Sequence, residues 1–271
     1  MNIRLYHALL LTMEENRSIF EGEVWIKDER IRYVGDGSTQ DVSESCAFFG
    51  CSVKEDILWD EEIDCQGNLL MPGFKNAHTH SGMTLLRSYA DDLPLHDWLN
   101  EQVFPIEAKL SEEDVYHLTK LAVLEYLTSG ITSIFDMYLT PESIGRACAE
   151  MGMRCVQTGG VNNFSQSMEL LEKWYEELNG KHPLLSFLPG FHAEYTCSKE
   201  LIEEIAEFAS RKKAPIYVHL SETESEVEGC RERYGMTPGM FLDSLGMFAY
   251  GGGVYHGVWL TKEEMKLFKE R

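Results

Sequence analysis

The stretch Met71-Pro-Gly-Phe-Lys-Asn-Ala-His-Thr-His80 decides the fold, because it leads from a Pro-Gly turn into a predicted strand that carries two histidines. Side chains at positions i and i+2 of a β-strand point to the same face of the sheet. A strand that begins near Phe74 would therefore direct the imidazoles of His78 and His80 toward one point. This arrangement predicts half of a metal site at a strand end; the alternative is a pair of surface histidines near a loop.

The composition is that of an ordinary globular protein. The 271 residues are 44% hydrophobic and 25% charged, enough for one large domain and a small one. There are 45 acidic and 24 basic residues, which gives a formal net charge of -21. Such a surface repels phosphate backbones and anionic lipid, so neither nucleic acid nor a membrane is expected as a partner.

The cysteines favour a reducing compartment. There are seven, an odd number, and they form no C-x-x-C pair, which is unlike a disulfide framework. The apolar run Ala8–Leu11 is too short to cross a membrane, and no small-residue cleavage site follows it. We therefore expect a cytoplasmic protein.

Two domains are predicted from the change in pattern near residue 70. In residues 1–70, Glu23–Lys27 and Arg30–Gly35 are rich in strand-forming residues and would form a hairpin. Residues 36–60 are mostly polar and predict an extended loop or insertion, and residues 62–71 return as a strand. We predict a small β-sandwich-like domain over 1–70 and a second domain over 71–271.

Strands and helices alternate in the second domain. Six strands are predicted, over residues 73–78, 131–137, 154–158, 184–191, 215–220 and 253–255. Strands that alternate with helices along the chain imply a parallel sheet with right-handed crossovers. A closed (β/α)8 TIM-type barrel requires eight strands. The prediction is therefore an incomplete barrel of about six βα units, or else a different open α/β sheet.

Five of the nine histidines lie where a predicted strand passes into a loop. In parallel barrels, catalytic groups occupy this carboxyl edge. A convergent ring of imidazoles with a carboxylate is typical of a Zn²⁺ or Fe²⁺ site. The polar residues at these strand ends are His78, His80, Asp136, His192, His219, Glu222 and His256.

The segment His219-Leu-Ser-Glu222 adds a carboxylate within one turn of a strand-end histidine. A bound metal lowers the pKa of water, and a nearby carboxylate can then carry the proton. The alternative is a core histidine beside an exposed glutamate. For Glu224, Glu226 and Glu228, which continue the acidic run, a solvated face is the preferred interpretation.

The chain resembles the amidohydrolase superfamily, in the branch of methylthioadenosine/S-adenosylhomocysteine deaminases and related chlorohydrolases. The resemblance runs in register from residue 1 to residue 271. Its matching segments are 71–80, 83–95, Trp98-Leu, Phe104-Pro-Ile-Glu107, Phe135-Asp-Met-Tyr138, Gly190–Ser198, His219-Leu-Ser-Glu-Thr223 and Val254–Leu260.

The resemblance implies a catalytic centre with one divalent metal. His78, His80 and His219 would be the metal ligands, with zinc favoured and iron or manganese as alternatives. Glu222 would be the proton shuttle. His256 would orient or polarise the attacking water and a ring nitrogen of the substrate.

The resemblance also implies substrate contacts. His192 and Glu107 match substrate-binding positions, Glu107 through ribose hydroxyls, and a carboxylate suits paired hydroxyl donors. Arg154 falls near a basic substrate contact of the family. Trp98 would line the pocket or pack the lid, and Asp136 would be structural.

Three departures from the family pattern stand out. The usual His-Ala-Pro-Tyr block reads His192-Ala-Glu-Tyr, and the usual Ala-His-Cys block reads Tyr255-His-Gly. The family's last metal ligand is an Asp on the eighth strand, and the only Asp after Glu222 is Asp243, within a predicted helix. We therefore expect a chain that lacks barrel strands seven and eight, with exposed sheet edges that favour homo-oligomers.

Two classes of function follow. The first is a metal-dependent hydrolytic deaminase of an adenosine-type nucleoside such as methylthioadenosine or S-adenosylhomocysteine; within this class, another purine or triazine aminohydrolase or a chlorohydrolase is the alternative. The second is an inactive, truncated relative that binds metal without turnover.

Overall fold

The computed structural model describes residues 1–38 and 42–271, which form two compact units, Met1–Gly73 and Phe74–Arg271. The boundary between these units lies close to the predicted one at residues 70 and 71. A β-sandwich-like first domain and a truncated barrel as the second stay predictions. Residues 39–41, within the segment predicted as an extended loop, lie outside the described residues.

The first unit is built on one five-stranded sheet in which β1 is central. The strand order is β3-β2-β1-β4, with β5 also pairing with β1. β2 and β3 form the predicted hairpin, with Lys27 opposite Arg30 and Asp28 in the left-handed region. The strands are β1 (Asn2–Leu10), β2 (Phe20–Lys27), β3 (Arg30–Gly35), β4 (Glu61–Asp64) and β5 (Leu69–Leu70).

The segment predicted as an extended loop contains helical structure and covers a small aromatic core. Helix α1 (Ser43–Ala47) and a 3₁₀ turn over Lys54–Asp56 fall within it. Trp25 is fully buried, 4.4 Å from the ring of Tyr33 and 5.5 Å from that of Trp59. Apolar side chains from the described part of this segment pack on that tryptophan and bury it.

The second unit carries seven parallel strands in two sheets, β6-β7-β8-β9 and β10-β11-β12. The single strand predicted over 184–191 is divided at Pro189, which has no N–H to donate to a ladder. The strands are β6 (Phe74–Thr79), β7 (Ile131–Met137), β8 (Arg154–Thr158), β9 (Leu185–Leu188), β10 (Gly190–Ala193), β11 (Ile216–Leu220) and β12 (Gly252–His256).

Since β9 and β10 follow each other along one stretch of chain, the strands occupy six positions in chain order. This confirms the predicted parallel α/β architecture with about six βα units. In the described chain β6 does not pair with β12, so the strands do not form a closed barrel.

Nine helices accompany these strands in the described part of the second unit. Ser111 and Asp114 form a capping box at the start of α4 (Glu112–Thr128). No helix in the described ranges combines the length and apolar character that a membrane crossing requires. The helices are α2 (Leu95–Asp97), α3 (Phe104–Glu107), α4 (Glu112–Thr128), α5 (Pro141–Glu150), α6 (Met168–Leu178), α7 (Lys199–Lys212), α8 (Glu224–Tyr234), α9 (Pro238–Ser244) and α10 (Lys262–Glu270).

Two apolar cores hold the strands in register. The larger core includes Phe187, Phe191 and Phe208, and the smaller one includes Ile134 and Cys155. Parallel strands packed in this way present their carboxyl ends at a common edge, where loops can bring polar side chains together.

Candidate active site

Three histidines from two strands meet at the carboxyl edge of the second unit. The Nε2 atom of His78 lies 3.2 Å from Nε2 of His80 and 3.0 Å from Nε2 of His219. His78 is on β6, His80 directly follows it, and His219 is on β11. The i, i+2 spacing therefore brings both imidazoles to one point, as the strand pattern predicted.

Backbone carbonyls fix the orientation of two of these rings. Nδ1 of His80 lies 2.5 Å from the carbonyl oxygen of Met137, and Nδ1 of His219 lies 2.9 Å from that of His192. A carbonyl oxygen only accepts hydrogen bonds, so each Nδ1 carries the proton and donates it. Each Nε2 therefore presents a lone pair toward the cluster, which is the form that ligates metals.

The cluster fits a divalent first-row metal. Two neutral nitrogens that face each other at 3.0 Å repel unless a proton or cation lies between them. Nitrogens bound to one zinc ion at about 2.0–2.1 Å are roughly 3 Å apart, which matches the observed spacing. His256 is close as well, since one ring nitrogen from each of His78, His219 and His256 lies within 4.8 Å of the others.

The surroundings keep these imidazoles neutral. Burial, followed by the charges of His80 and His256, lowers the pKa of His78 to about 4. Burial also lowers the pKa of His80, and lowers that of His219 well below its ordinary value. At neutral pH the rings are therefore unprotonated and can bind a cation.

Glu222 and His256 face each other beside the cluster. Nε2 of His256 lies 3.4 Å from Oε2 of Glu222. Burial raises the pKa of Glu222 and lowers that of His256, so both groups are shifted toward their neutral forms. The loops that carry them are joined, because the amide of Trp259 donates to the carbonyl of Ser221 at 2.9 Å.

A cavity of about 590 Å³ opens onto the histidines, the size of a small-ligand site. Eight of the nine site residues predicted from the sequence line it: His78, His80, Trp98, Glu107, His192, His219, Glu222 and His256.

Glu107, at the end of α3, contributes an unusual carboxyl group to this cavity. Burial raises its pKa to about 7, and the neighbouring Tyr138 hydroxyl partly opposes the rise. Near neutral pH the side chain can therefore both donate and accept hydrogen bonds, which suits a substrate hydroxyl.

His192 and Trp98 form parts of the cavity wall. Burial lowers the pKa of His192 to about 4, and its Nδ1 lies 3.2 Å from the hydroxyl of Thr196. The indole nitrogen of Trp98 donates to the carbonyl of Tyr89 at 3.2 Å. Trp98 thus lines the cavity and is hydrogen-bonded to the segment that precedes α2.

The structure does not bring Arg154 to the cavity. Arg154 is the first residue of β8, whereas the site forms at the carboxyl ends of the strands. Its guanidinium is exposed and lies 3.5 Å from the carbonyl of Thr132. Position along the strand therefore argues against the substrate contact inferred from the family pattern.

Asp136 is buried, as a structural residue would be. Its Oδ2 accepts from the amide of Ser81 at 3.1 Å, and burial raises its pKa to about 7. It ties the end of β7 to the turn that follows His80.

Several cavity residues were not found from the sequence. Phe104 and Phe164 contribute rings 5.3 Å apart, and Asn162 and Gln166 shape the loop after β8. That loop follows a strand end, so the rule used for the histidines would have found it. Its glycines and amides carry no titratable group, which is why it was passed over.

Glu226 corrects the interpretation of the acidic run. Glu224 and Glu228 are exposed, as expected for a solvated face, but Glu226 is only 5% exposed. The run forms the start of α8, with Thr223 as its N-cap. Thr223-Glu-Ser-Glu226 matches the Ser/Thr-x-x-Glu pattern of helix starts, a signal that could have identified both features.

Comparison with known proteins places these features in context. Residues 69–271 match the model of the amidohydrolase family. The 5-methylthioadenosine/S-adenosylhomocysteine deaminase of Desulfitobacterium hafniense (strain DSM 10664 / DCB-2) is 35% identical over 98% of this chain and 60% of its own length. The enzyme of that name from Syntrophomonas wolfei is 36% identical over all of this chain and 61% of its own length. The chain thus spans about 60% of the length of these relatives.

Solved structures show the same architecture. An adenosine deaminase from Xanthomonas campestris with bound zinc superimposes with a TM-score of 0.83 at 27% identity, covering 99% of this chain and 60% of that one. The atrazine chlorohydrolase of Arthrobacter aurescens, complexed with zinc, gives a TM-score of 0.80 at 18% identity, over 99% of this chain and 63% of the other. The second similarity concerns the fold alone.

Proposed function

Because the chain belongs to the amidohydrolase family, we propose that its site serves the hydrolytic deamination of an adenosine-type nucleoside. One observation carries the proposal: Glu222 and His256 face each other beside three histidines at the end of a ligand-sized cavity. The names of the curated relatives, and of the adenosine deaminase structure, support this reaction class. Methylthioadenosine and S-adenosylhomocysteine are the proposed substrates.

His78, His80 and His219 would hold one divalent metal, with zinc favoured and iron or manganese as alternatives. The lone pairs directed by the Met137 and His192 carbonyls support this assignment. The ion, when bound, lowers the pKa of water so that it can act as a nucleophile near neutral pH.

Glu222 would move the proton. Its carboxylate takes a proton from the attacking water and passes one to the ring nitrogen next to the reacting carbon. The water oxygen bonds to the carbon that carries the amino group, and the second proton of the water is transferred to that amino group. The carbon–nitrogen bond then breaks, and ammonia leaves. The raised pKa of Glu222 favours proton uptake, and His256, 3.4 Å away, would orient the water and the ring nitrogen.

The cavity would hold the base and sugar apart from bulk water. We assign Glu107 to the ribose hydroxyls and His192 to the base, with Trp98 covering the site. Glu107 also favours a nucleoside over a triazine or a free purine, because neither of these has sugar hydroxyls for a buried carboxyl group to bind.

An inactive metal-binding relative is the second candidate. It is favoured by the donor set, because no Asp of the described chain belongs to the metal-ligand group around His78, His219 and His256. The resemblance implied one more Asp ligand, which also accepts a proton from the nucleophilic water.

One experiment separates the two candidates. The chain is purified, loaded with zinc, and mixed with methylthioadenosine, S-adenosylhomocysteine, adenosine or guanine while purine absorbance is followed. A deaminase gives turnover that falls by about 10²–10⁴-fold in Glu222→Gln, the usual contribution of a general acid–base. Zinc binding without turnover of any of the four compounds would instead support the inactive relative.

We also propose a cytoplasmic location and a small-molecule partner, with self-association through sheet edges. All seven cysteines fall in the described ranges and have free thiols, which supports a reducing compartment. A monomeric mass by light scattering would contradict the self-association.

A further inference from the structure

Glu226 is a buried carboxylate next to the proposed proton shuttle but outside the set of site residues. Its Oε1 accepts from the amide of Ser221 at 2.7 Å, and its Oε2 accepts from the amide of Glu222 at 2.9 Å. The side chain lies in the first turn of α8, and its residue is 5% exposed. Both carboxylate oxygens are therefore used to hold the backbone that precedes the helix.

The backbone held by Glu226 is a sharp bend. Ser221 is buried and has a φ of +51°, in the left-handed region that residues other than glycine rarely adopt. The bend turns the chain from β11 into α8, and its other side is fixed by the bond from the Trp259 amide to the Ser221 carbonyl. A conformation of this kind persists only where the surroundings over-determine it.

The bend decides where the Glu222 side chain points. Glu222 follows Ser221 directly, and its Oε2 lies 3.4 Å from Nε2 of His256. We propose that Glu226 is a positioning residue, which anchors the Ser221–Glu222 backbone so that the Glu222 carboxylate faces His256 and the histidine cluster. The inference rests on the proposed function in one respect, namely that Glu222 is the proton shuttle.

The chemistry of the contact requires a carboxylate. Two adjacent backbone N–H donors need two acceptor atoms, and an ionised carboxylate offers two oxygens and no donor. Glutamine has nearly the same shape, but it would turn an NH₂ group toward one of the two amides. Glu226→Gln therefore removes one of the two anchoring bonds with little change in volume.

The test compares Glu226→Gln with Glu228→Gln, a matched control with the same charge change at an exposed position of the same helix. Backbone amide exchange is measured by NMR on the metal-free chain. We expect exchange at Ser221 or Glu222 to become about 10-fold faster or more in Glu226→Gln, the usual consequence of losing a buried hydrogen bond. We expect it to be unchanged in Glu228→Gln.

A second measurement reports on the position of the Glu222 carboxylate relative to His256. The ring ¹⁵N signals of His256 are recorded in the wild type, in Glu226→Gln, and in Glu222→Gln as the reference for loss of the pair. We expect the Glu226→Gln signals to move toward that reference. Where turnover is measurable, kcat should fall about 10-fold with KM and zinc content unchanged, whereas a smaller folded fraction would lower zinc content as well.

The outcomes separate this proposal from the proposed function. Unchanged exchange in Glu226→Gln, or unmoved His256 signals despite faster exchange, would overturn the positioning role. A wild type without turnover contradicts the deaminase, yet exchange and ring signals still decide the role of Glu226. If Glu226→Gln melts too low for study, Glu226→Asp keeps the charge on a shorter side chain, and the same faster exchange is expected because its oxygens fall short of the amides.

Discussion

The rings of His80 and His219 each take their orientation from a carbonyl of a neighbouring strand segment. Met137 holds one and His192 holds the other. The side chains of Met137 and His192 are not among the proposed metal ligands; only their backbone carbonyls contact the two rings. Backbone geometry therefore sets the tautomer of His80 and of His219. The metal-binding form is therefore built into the fold before any ion arrives.

Removing one ring should abolish tight metal binding. We expect His219→Ala to weaken zinc affinity by at least about 100-fold, because even outer-shell changes cost 10–100-fold. The measurement is competition with a chromophoric chelator, which does not depend on turnover. His117→Ala, which removes an exposed histidine on α4, is the control and should bind zinc like the wild type. Equal affinity in both variants would exclude His219 as a ligand.

Glu107 should make stability depend on pH. Burial raises its pKa from 4.5 to about 7, so the folded state favours the protonated form. Its contribution to stability is fully present below pH 4.5 and is lost as the pH rises through about 7. The loss is on the order of 3 kcal/mol for a group fully shielded from water, and smaller to the extent that solvent screens the carboxylate.

The variant Glu107→Gln cannot ionise and should lose less stability than the wild type between pH 5 and pH 8. Urea unfolding at the two pH values measures this difference. Glu101→Gln, at an exposed position in the preceding turn, should behave like the wild type. A Glu107→Gln variant with the same pH dependence as the wild type would show that the carboxyl group titrates normally.

Single side chains were predictable where a strand period or a strand end dictates their place. His78, His80 and His219 follow from these two rules alone. The burial of Glu226 does not follow from them, because it depends on how α8 packs against the bend before it. Arg154 was inferred from the resemblance alone, although the predicted strand 154–158 has the same bounds as β8 and already put Arg154 at the first residue, away from the carboxyl edge.

Helix α8 is held at both ends. Glu226 bonds the bend at its start, and Arg233 near its end pairs with Glu194. The pair is bidentate, with Nη2–Oε2 at 2.7 Å and Nε–Oε1 at 3.2 Å. Glu194 is 1% exposed and stands where the family pattern usually has proline. The glutamate that stands in place of the family's proline is thus paired with Arg233, which lies on α8.

We expect Arg233→Ala to destabilise the protein by about 1–3 kcal/mol. Breaking a buried pair leaves an uncompensated charge, but the Arg233 side chain is 43% exposed, so the cost is smaller than for a fully buried pair. Urea unfolding of Arg233→Ala, Glu194→Ala and the double variant measures it. The double variant should be more stable than the sum of the single effects predicts. Strict additivity would show that the pair does not couple.

Helix α8 was missed in the sequence because its apolar positions are few and its composition suggested a solvated run. The buried strands of the second unit were found, since their apolar runs are local properties of the chain. The short helix α1 depends on tertiary packing, which local patterns do not encode. The division at Pro189 was readable from the sequence, because proline has no N–H to donate to a strand ladder.

The whole chain carries a net charge of -21, and the described lining of the cavity contains neither lysine nor arginine. If the proposed function holds, a substrate carboxylate finds no cation there, whereas an apolar thioether meets Phe104 and Phe164. We therefore expect methylthioadenosine to bind more tightly than S-adenosylhomocysteine, by about 10-fold, the order of one unpaired polar group.

Calorimetric titration of zinc-loaded Glu222→Gln, which should not consume the ligand, tests this preference. Adenosine serves as a reference without a thioether. Equal affinities for the two thioethers would mean that the amino-acid group stays in solvent, and tighter binding of S-adenosylhomocysteine would contradict the preference.

The cluster of Nε2 atoms has a consequence for folding. His78 and His219 are 141 positions apart in the chain, and each belongs to a different sheet. An ion bound by both histidines would close the loop of chain between them, and an unfolded chain closes so long a loop only at a large cost in conformational entropy. Zinc should therefore be captured only after both sheets have formed. Its stabilising effect should then grow with the logarithm of free zinc, so the folded fraction of the protein should increase with the free zinc concentration.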